Sequence, residues 1–251
     1  MEVSETKTSL CAQHGEYESR RLLRFGIWTG CKQCQLQAEE VERTEREREA
    51  AEREFARRAS RAAKLLEVAN LPPRFADRRL SNYRPTCDTA KRALAAITEY
   101  ANGFDEALES GASLILCGGV GTGKTHLAVG IAHAVLARDR PAIYTSVMAA
   151  VRAVKDTYRR DAERSEAEVI ADFVSPDLLI LDEVGVQFGS DTEKLILFEI
   201  INGRYEHFRP TVVVSNLAKD SLVQFLGERV IDRLREGGGK MVLFDWQSYR
   251  R

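Results

Sequence analysis

The segment at residues 118–125 constrains the fold of this 251-residue chain more than any other part of it. It reads GGVGTGKT and matches the pattern G-x-x-x-x-G-K-[ST] of a phosphate-binding loop in full. It follows an apolar stretch, SLILC, and precedes a helical pattern. Because glycine has no side chain, the backbone N–H groups of such a loop can turn towards phosphate oxygens. The residues predicted to bind a nucleotide are Gly118, Gly119, Val120, Gly121, Thr122, Gly123, Lys124, Thr125 and His126.

A second motif, LLILDE at residues 178–183, carries two carboxylates at the end of an apolar strand pattern. Ligands of open α/β sheets bind at the carboxyl ends of strands, so both motifs are expected at one edge of the sheet. Lys124 is expected to contact the β- and γ-phosphates of ATP, and Thr125 and Asp182 to bind Mg²⁺. Glu183 is expected to orient and deprotonate the attacking water. Together the motifs predict a magnesium-dependent ATPase.

Apolar strand patterns alternate with helical patterns from about residue 74 onwards. This alternation predicts an α/β fold with a parallel sheet covered on both faces. Asn216 follows one predicted strand, where its amide is expected to contact the γ-phosphate or the attacking water; the alternative is an ordinary turn residue. The predicted strands are 113–117, 142–147, 178–181, 211–215 and 241–244, and the predicted helices are 126–137, 148–158 and 193–207.

The N-terminal region carries two pairs of potential metal ligands. Cys11 and His14 are separated by two residues, as are Cys31 and Cys34, and 16 residues lie between the pairs. Each pair can converge from one tight turn, and four such ligands suit tetrahedral Zn²⁺. The alternative is a set of free thiols with an incidental histidine. The remaining cysteines, Cys87 and Cys117, are isolated and are expected to be small core residues.

A long helix is predicted between the cysteine region and the α/β region, because residues 36–69 contain no glycine or proline. Its charges alternate at i,i+4 spacing, so most of it is expected to be solvent-exposed. Little of it is expected to be buried before the apolar positions Phe55, Leu65, Leu66 and Val68. Phe55, Leu65 and Leu66 are expected to need a partner. The predicted organisation is a zinc-binding module at 1–35, a charged helix at 36–70 that either binds a partner or acts as a spacer, and an ATPase domain at 71–251.

The charge and hydropathy of the chain limit how it can contact nucleic acid or a membrane. Thirty-seven basic and 38 acidic residues give a net charge of -1, so any contact with nucleic acid must be local. Residues 155–160 offer such a site, with cations for phosphates and a ring for base stacking; the alternative is an ordinary amphipathic helix end. No stretch of about 18 apolar residues predicts a membrane span, and we expect a cytoplasmic protein. The candidate DNA contacts are Lys155, Tyr158, Arg159 and Arg160.

Three arginines lie on a predicted helix within the segment GERVIDRLR, at positions 229, 233 and 235. An arginine supplied across a subunit interface can stabilise charge on a transferring phosphoryl group, so one of the three is a candidate arginine finger. The alternative is a solvated basic helix face.

These motifs together resemble those of bacterial and phage replicative helicase loaders of the DnaC type, over residues 71–251. The resemblance is carried by SLILCGGVGTGKTHLA (113–128), VKDTYR (154–159), LLILDEVGVQ (178–187), Asn216, GERVIDRLR (227–235) and FDWQSYR (244–250).

The resemblance implies an AAA+ module in which the strand before Asn216 lies between the strands that bear the two nucleotide motifs. It implies that Arg233 is a trans-acting arginine finger and that Arg250 is a second sensor arginine facing the γ-phosphate of its own subunit. It also implies contact between the VKDTYR segment and single-stranded DNA. The implied partners are a hexameric replicative helicase, single-stranded DNA and further copies of the chain, which associate through their ATPase modules. The simplest loaders have a helical N-terminal region, whereas others carry zinc there.

Two other functions remain open from the sequence. A transposition helper ATPase of the IstB type shares the ATPase core but binds duplex DNA and a transposase. A non-enzymatic zinc adaptor would bind ATP only as a structural ligand, and the presence of both Asp182 and Glu183 argues against it.

Overall fold

The computed structural model describes residues 3–22, 26–185 and 191–249 of the chain. The chain divides into two compact units, Met1–Ser60 and Arg61–Arg251, called here the N-terminal and the C-terminal unit. Across the described ranges, no helix combines the length and the apolar character needed to cross a bilayer.

The N-terminal unit contains a β-hairpin that the sequence did not predict. Strands β1 (Val3–Cys11) and β2 (Gly15–Leu22) are antiparallel, and Cys11 pairs with Gly15 across the turn. Gly15 has a φ of +77°, a conformation that glycine adopts without strain. Trp28 covers one side of the hairpin, with the Lys7 ammonium 4.3 Å from its ring centroid.

Helix α1 (Lys32–Val68) follows, and begins four residues earlier than predicted. Exposed i,i+4 ion pairs such as Glu42–Arg46 and Glu49–Arg53 line it, as the charge pattern predicts. Of its apolar side chains, Leu65 packs against the core of the C-terminal unit. Three others are exposed: Phe55 by 75%, Val68 by 62% and Leu66 by 45%.

The C-terminal unit is built on a parallel sheet, and the predicted fold class is confirmed. The strand order is β4-β5-β6-β3-β7, so β6 lies between the strands that bear the two nucleotide motifs, as the resemblance implies. Each strand boundary lies within three residues of its predicted position. The strands are β3 (Leu114–Gly118), β4 (Ala142–Ser146), β5 (Leu178–Val184), β6 (Thr211–Ser215) and β7 (Lys240–Phe244).

Helices cover both faces of this sheet. Successive residues of a strand point to opposite faces, so Leu114 and Leu116 join one core layer while Ile115 and Cys117 join the other. Cys117 is fully buried, as predicted for a small core residue. The helices are α2 (Asp88–Asn102), α3 (Phe104–Ser110), α4 (Lys124–Leu136), α5 (Val147–Asp156), α6 (Glu166–Val174), α7 (Asp191–Glu206), α8 (Lys219–Leu226) and α9 (Glu228–Arg235).

Candidate nucleotide site and metal centre

The phosphate-binding loop connects β3 to α4, and its glycines adopt backbone conformations that other residues rarely reach. Gly118, Gly121 and Gly123 have φ values of +129°, +75° and +94°. A Cβ on Gly118 would lie 2.3 Å from the carbonyl oxygen of Phe244, and one on Gly123 would lie 2.5 Å from Cε2 of Tyr83. The motif therefore requires glycine at these positions for two independent reasons, the left-handed backbone and the close neighbours.

Lys124 is the first residue of α4, and its side chain is buried within the loop. The ammonium donates hydrogen bonds to the carbonyl oxygens of Gly118 at 2.8 Å and Gly119 at 2.6 Å. Its positive charge adds to the partial positive charge at the N-terminus of α4, so the loop is electrostatically suited to phosphates.

Asp182 is held by three hydrogen-bond donors from three different elements. Its Oδ2 accepts from the Thr125 hydroxyl at 2.9 Å and from the Tyr144 hydroxyl at 2.7 Å. Its Oδ1 accepts from the backbone N–H of Glu183 at 2.7 Å. A threonine hydroxyl beside a carboxylate, next to a phosphate-binding loop, is an oxygen-donor set that fits Mg²⁺ with a nucleotide.

Glu183 has a left-handed backbone, with a φ of +61°, which is strained for a residue with a side chain. The strain coincides with a register shift between Leu181 and Val184 in the pairing of β5 with β6. An irregularity of this kind can redirect a side chain. Here Glu183 is exposed at the cavity above the loop while Asp182 and Val184 are buried.

The cavity has a volume of about 500 Å³, within the range of small-ligand sites. The predicted residues Val120, His126 and Asn216 all line it. His126 Nε2 also lies 2.8 Å from Asn82 Oδ1. The cavity wall continues along the segment before α2, which sequence reasoning did not assign to the site. The additional lining residues are Phe75, Arg78, Asn82, Tyr83, Arg84, Tyr144 and Tyr249.

The chain after β7 packs directly against the phosphate-binding loop. The indole N–H of Trp246 donates to the Thr122 carbonyl at 3.2 Å, and the Tyr83 hydroxyl donates to the same oxygen at 3.0 Å. The backbone N–H of Tyr249 donates to the Gly121 carbonyl at 2.9 Å. The segment FDWQSYR was noticed only as part of the resemblance, and its contacts with the loop could not be read from the sequence.

In the N-terminal unit, the four predicted zinc ligands come together. Cys34 Sγ lies 3.2 Å from His14 Nδ1 and 3.5 Å from Cys11 Sγ, and Cys31 Sγ lies 3.6 Å from His14 Nδ1. All four ligand atoms lie within 4.8 Å of one another. In a tetrahedral zinc site, Zn–S bonds of about 2.3 Å and Zn–N bonds of about 2.0 Å separate neighbouring ligand atoms by roughly 3.5–3.8 Å. The cluster therefore fits Zn²⁺.

The ionisation of the cysteines also suits a cation. Backbone N–H groups of Gln13 and His14 lower the pKa of Cys11 to about 6. The hydrogen bond to Cys11, together with burial, raises the pKa of Cys34 to about 11. The first thiolate is therefore favoured by backbone donors, whereas a second thiolate beside it is unfavourable unless a positive charge balances both.

The comparisons with known proteins agree with this geometry. The family model described as IstB-like ATP binding protein matches residues 29–250. The chain belongs to this family. It is 36% identical over 196 residues to the "Replicative helicase loader DnaC" of Escherichia coli (strain K12), which covers 77% of this chain and 78% of that protein. It is 35% identical over 170 residues to the protein of the same name from Buchnera aphidicola subsp. Acyrthosiphon pisum, covering 68% of each chain.

Solved structures show the same fold. The crystal structure of the DnaC helicase loader superposes with a TM-score of 0.61 at 22% identity, over 69% of this chain and all of that chain. The AMPPCP-bound DnaA from Aquifex aeolicus superposes with a TM-score of 0.58 at 23% identity, over 71% of this chain and 52% of that chain. The IstB-like family member described here is thus an AAA+ ATPase in its fold, for which ATP and Mg²⁺ are the expected ligands.

One of the two arginines predicted for catalysis, Arg233, lies apart from this cavity. Arg233, on α9, is not among the described residues that line it; its guanidinium lies over the rings of Phe198 and Tyr205. This position agrees with a role outside its own site but does not test one. Arg250 lies outside the described residues.

Three of the four candidate DNA contacts of this family member contact acidic side chains. Lys155 forms an ion pair with Glu193 at 2.7 Å, and the Tyr158 hydroxyl donates to Glu166 at 2.9 Å. Arg159 pairs with Asp161 at 3.3 Å, and Arg160 is exposed. DNA phosphates would have to displace these carboxylates, so a role in DNA binding stays a prediction.

Proposed function

We propose that this chain is an ATP-dependent loader of a hexameric replicative DNA helicase onto single-stranded DNA. The observation that carries the proposal is the site at Asp182, where both nucleotide motifs converge in a chain 36% identical to a protein named as a helicase loader.

Within each subunit, the loop and Lys124 bind the phosphates of ATP, and Thr125 and Asp182 hold the magnesium ion. The ion, when bound, neutralises charge on the β- and γ-phosphates. Glu183, at the cavity, orients the attacking water and accepts its proton. Asn216 contacts the γ-phosphate or that water, and Arg250 faces the same phosphate.

Arg233 completes the site of a neighbouring subunit, so hydrolysis is slow until ATPase modules pack side by side. ATP at each interface favours an assembly that holds the helicase ring open, and hydrolysis favours release. The zinc-binding module at 1–35 and the charged helix at 36–70 attach the domain at 71–251 to the helicase. The segment at residues 155–160 contacts the single strand.

The test mixes the purified protein with the hexameric replicative helicase of the same organism, ATP and single-stranded DNA. We expect a complex detectable by light scattering and transfer of the helicase onto the DNA. Glu183→Gln should form the complex and retain it, because hydrolysis drives release. Glu109→Gln, which changes an exposed carboxylate of α3, should behave like the unmodified protein. Absence of a complex under every nucleotide condition would refute the proposal.

A second candidate is an IstB-type transposition helper, which the name of the matching family model favours. Such a protein prefers duplex over single-stranded DNA and binds a transposase rather than a helicase. Competition between the two DNA forms at fixed salt separates the candidates, because the helicase loader is expected to prefer the single strand.

A further inference from the structure

The guanidinium of Arg233 lies over two aromatic rings. Its carbon lies 5.3 Å from the ring centroid of Phe198 and 5.3 Å from that of Tyr205. These residues are seven positions apart in α7, which is two helical turns, so both rings stand on the face of α7 that meets α9. Cations attract the faces of aromatic rings at such distances, and guanidinium stacks on rings readily because it is weakly hydrated.

Polar contacts do not explain the position of this side chain. Among the described residues, Nη1 of Arg233 is buried without a hydrogen-bond partner. The nearby Glu236 accepts a hydrogen bond of 2.7 Å from the Tyr205 hydroxyl. The Glu236 carboxylate thus orients the ring of Tyr205 through this hydrogen bond.

Arg233 differs in this respect from the other two arginines of α9. Arg229 and Arg235 are exposed, whereas Arg233 is half-buried against the rings. An arginine that must stabilise a phosphoryl group on another subunit has to keep its donors available and its conformational freedom low. Ring contacts restrict the side chain without forming hydrogen bonds to its N–H groups, and the half-buried guanidinium keeps an exposed part that a second subunit can reach.

We propose that Phe198 and Tyr205 are positioning residues that hold Arg233 as a preformed finger for the nucleotide site of a second copy of this chain. This inference rests on the proposed function, in which Arg233 acts in trans. The two rings are called here the aromatic clamp.

The test mixes two kinds of subunit in the complex with helicase, ATP and single-stranded DNA. An acceptor carrying Arg233→Ala has its own hydrolytic residues but offers no finger. A donor carrying Glu183→Gln cannot hydrolyse its own ATP but offers Arg233. We expect the mixture to hydrolyse ATP several-fold faster than either variant alone, because donor arginines complete acceptor sites.

The clamp is then removed from the donor by adding Phe198→Leu and Tyr205→Leu. Loss of two cation–π contacts is expected to lower the rescue by roughly five- to thirty-fold. The loss should fall on kcat, with the KM for ATP unchanged, because the acceptor's own ATP-binding residues are intact. A donor that carries Tyr205→Phe in place of the two leucine substitutions keeps both rings and should give most of the rescue that the unmodified clamp gives. Phe208→Leu removes an exposed ring that does not contact Arg233 and serves as the matched control.

The outcomes distinguish the proposed role of the aromatic clamp from the proposed trans role of Arg233. Equal rescue by donors with and without the clamp overturns the proposed clamp but leaves the trans role of Arg233 intact. No rescue by the Glu183→Gln donor overturns that trans role and the clamp with it, while the loading assay still decides the proposed function. Thermal unfolding identifies donors that fail to fold; in that case Tyr205→Leu alone, at a residue 37% exposed, makes the same test.

Discussion

The hydroxyl of Tyr144 donates a 2.7 Å hydrogen bond to Oδ2 of Asp182, the oxygen that also accepts from Thr125. Burial and the charge of Asp182 raise the pKa of Tyr144, so the hydroxyl keeps its proton and remains a donor at neutral pH. Tyr144 thereby fixes the orientation of the carboxylate that we expect to bind Mg²⁺. Hydrogen-bond partners orient the ligands of other metal sites in the same way.

Tyr144→Phe should lower magnesium-dependent ATP hydrolysis by roughly ten- to a hundredfold, since a hydrogen bond to a charged group contributes about 1.5–3 kcal/mol. The magnesium concentration needed for half-maximal hydrolysis should rise, while ATP binding without magnesium should change little. A magnesium titration of the hydrolysis rate measures both quantities.

Tyr100→Phe is the matched control for that substitution. Tyr100 is also buried, but its hydroxyl donates to the Ala112 carbonyl at 2.9 Å, and it does not line the cavity. This variant should lose some stability and keep the unmodified magnesium dependence. Identical titration curves for Tyr144→Phe and the unmodified protein would show that Asp182 is positioned without the phenol.

Gly118→Ala and Gly119→Ala should differ sharply although they are neighbours. At Gly118 the new methyl group would meet the Phe244 carbonyl oxygen at 2.3 Å, and the φ of +129° is strained for alanine. At Gly119 the nearest atom is 3.5 Å away. We expect Gly118→Ala to lower the free energy of unfolding by at least about 1–3 kcal/mol and to abolish ATP binding.

Denaturant unfolding and equilibrium binding of a fluorescent ATP analogue compare the two variants. Gly119→Ala should unfold close to the unmodified protein. Equal stability of both variants would mean that β7 does not approach the loop as closely as the structure shows.

The sequence predicted those parts of the site that are contiguous in the chain. Residues 118–125 run from the end of β3 into the start of α4, and Asp182 and Glu183 lie near the end of β5, so local pattern placed both motifs in the correct elements. The position of β6 between β3 and β5 was also predicted, but through the resemblance rather than through periodicity. The roles assigned to these residues stay predictions.

What the sequence missed depends on contacts between distant segments. Tyr144 reaches Asp182 from β4, across 38 positions, and Trp246 reaches Thr122 across 124. The N-terminal hairpin was missed because its strands are mostly polar, VSETKTSLC and GEYESRRL, and lack a repeating apolar face. The left-handed backbone of Glu183 coincides with a register shift between two strands, which no single strand encodes.

The cysteine cluster predicts one tightly bound zinc ion per chain. Cys34→Ser should lose the metal, because thiolate ligands are far better than hydroxyls for zinc, and should expose the N-terminal hairpin to protease. Cys87→Ser, at an isolated cysteine of the C-terminal unit, should retain one equivalent. Zinc released on denaturation is measured with a colorimetric chelator. Metal-free protein with an unchanged protease pattern would favour free thiols.

Trp246 should report nucleotide binding by its fluorescence. Its indole N–H donates to the Thr122 carbonyl within the phosphate-binding loop, at 3.2 Å, so a change in the loop alters the hydrogen bond and the polarity around the ring. Trp28 is the other tryptophan of the chain and belongs to the N-terminal unit, so Trp28→Phe leaves Trp246 as the single reporter. Titration of this variant with ATP and magnesium should shift its emission with a saturable dependence on ATP.

The same titration with Lys124→Ala added should show no shift, because the loop then lacks the cation that binds the phosphates. If equilibrium dialysis shows ATP bound to the Trp28→Phe variant while its emission stays constant, the contact between the C-terminal segment and the loop does not respond to the nucleotide.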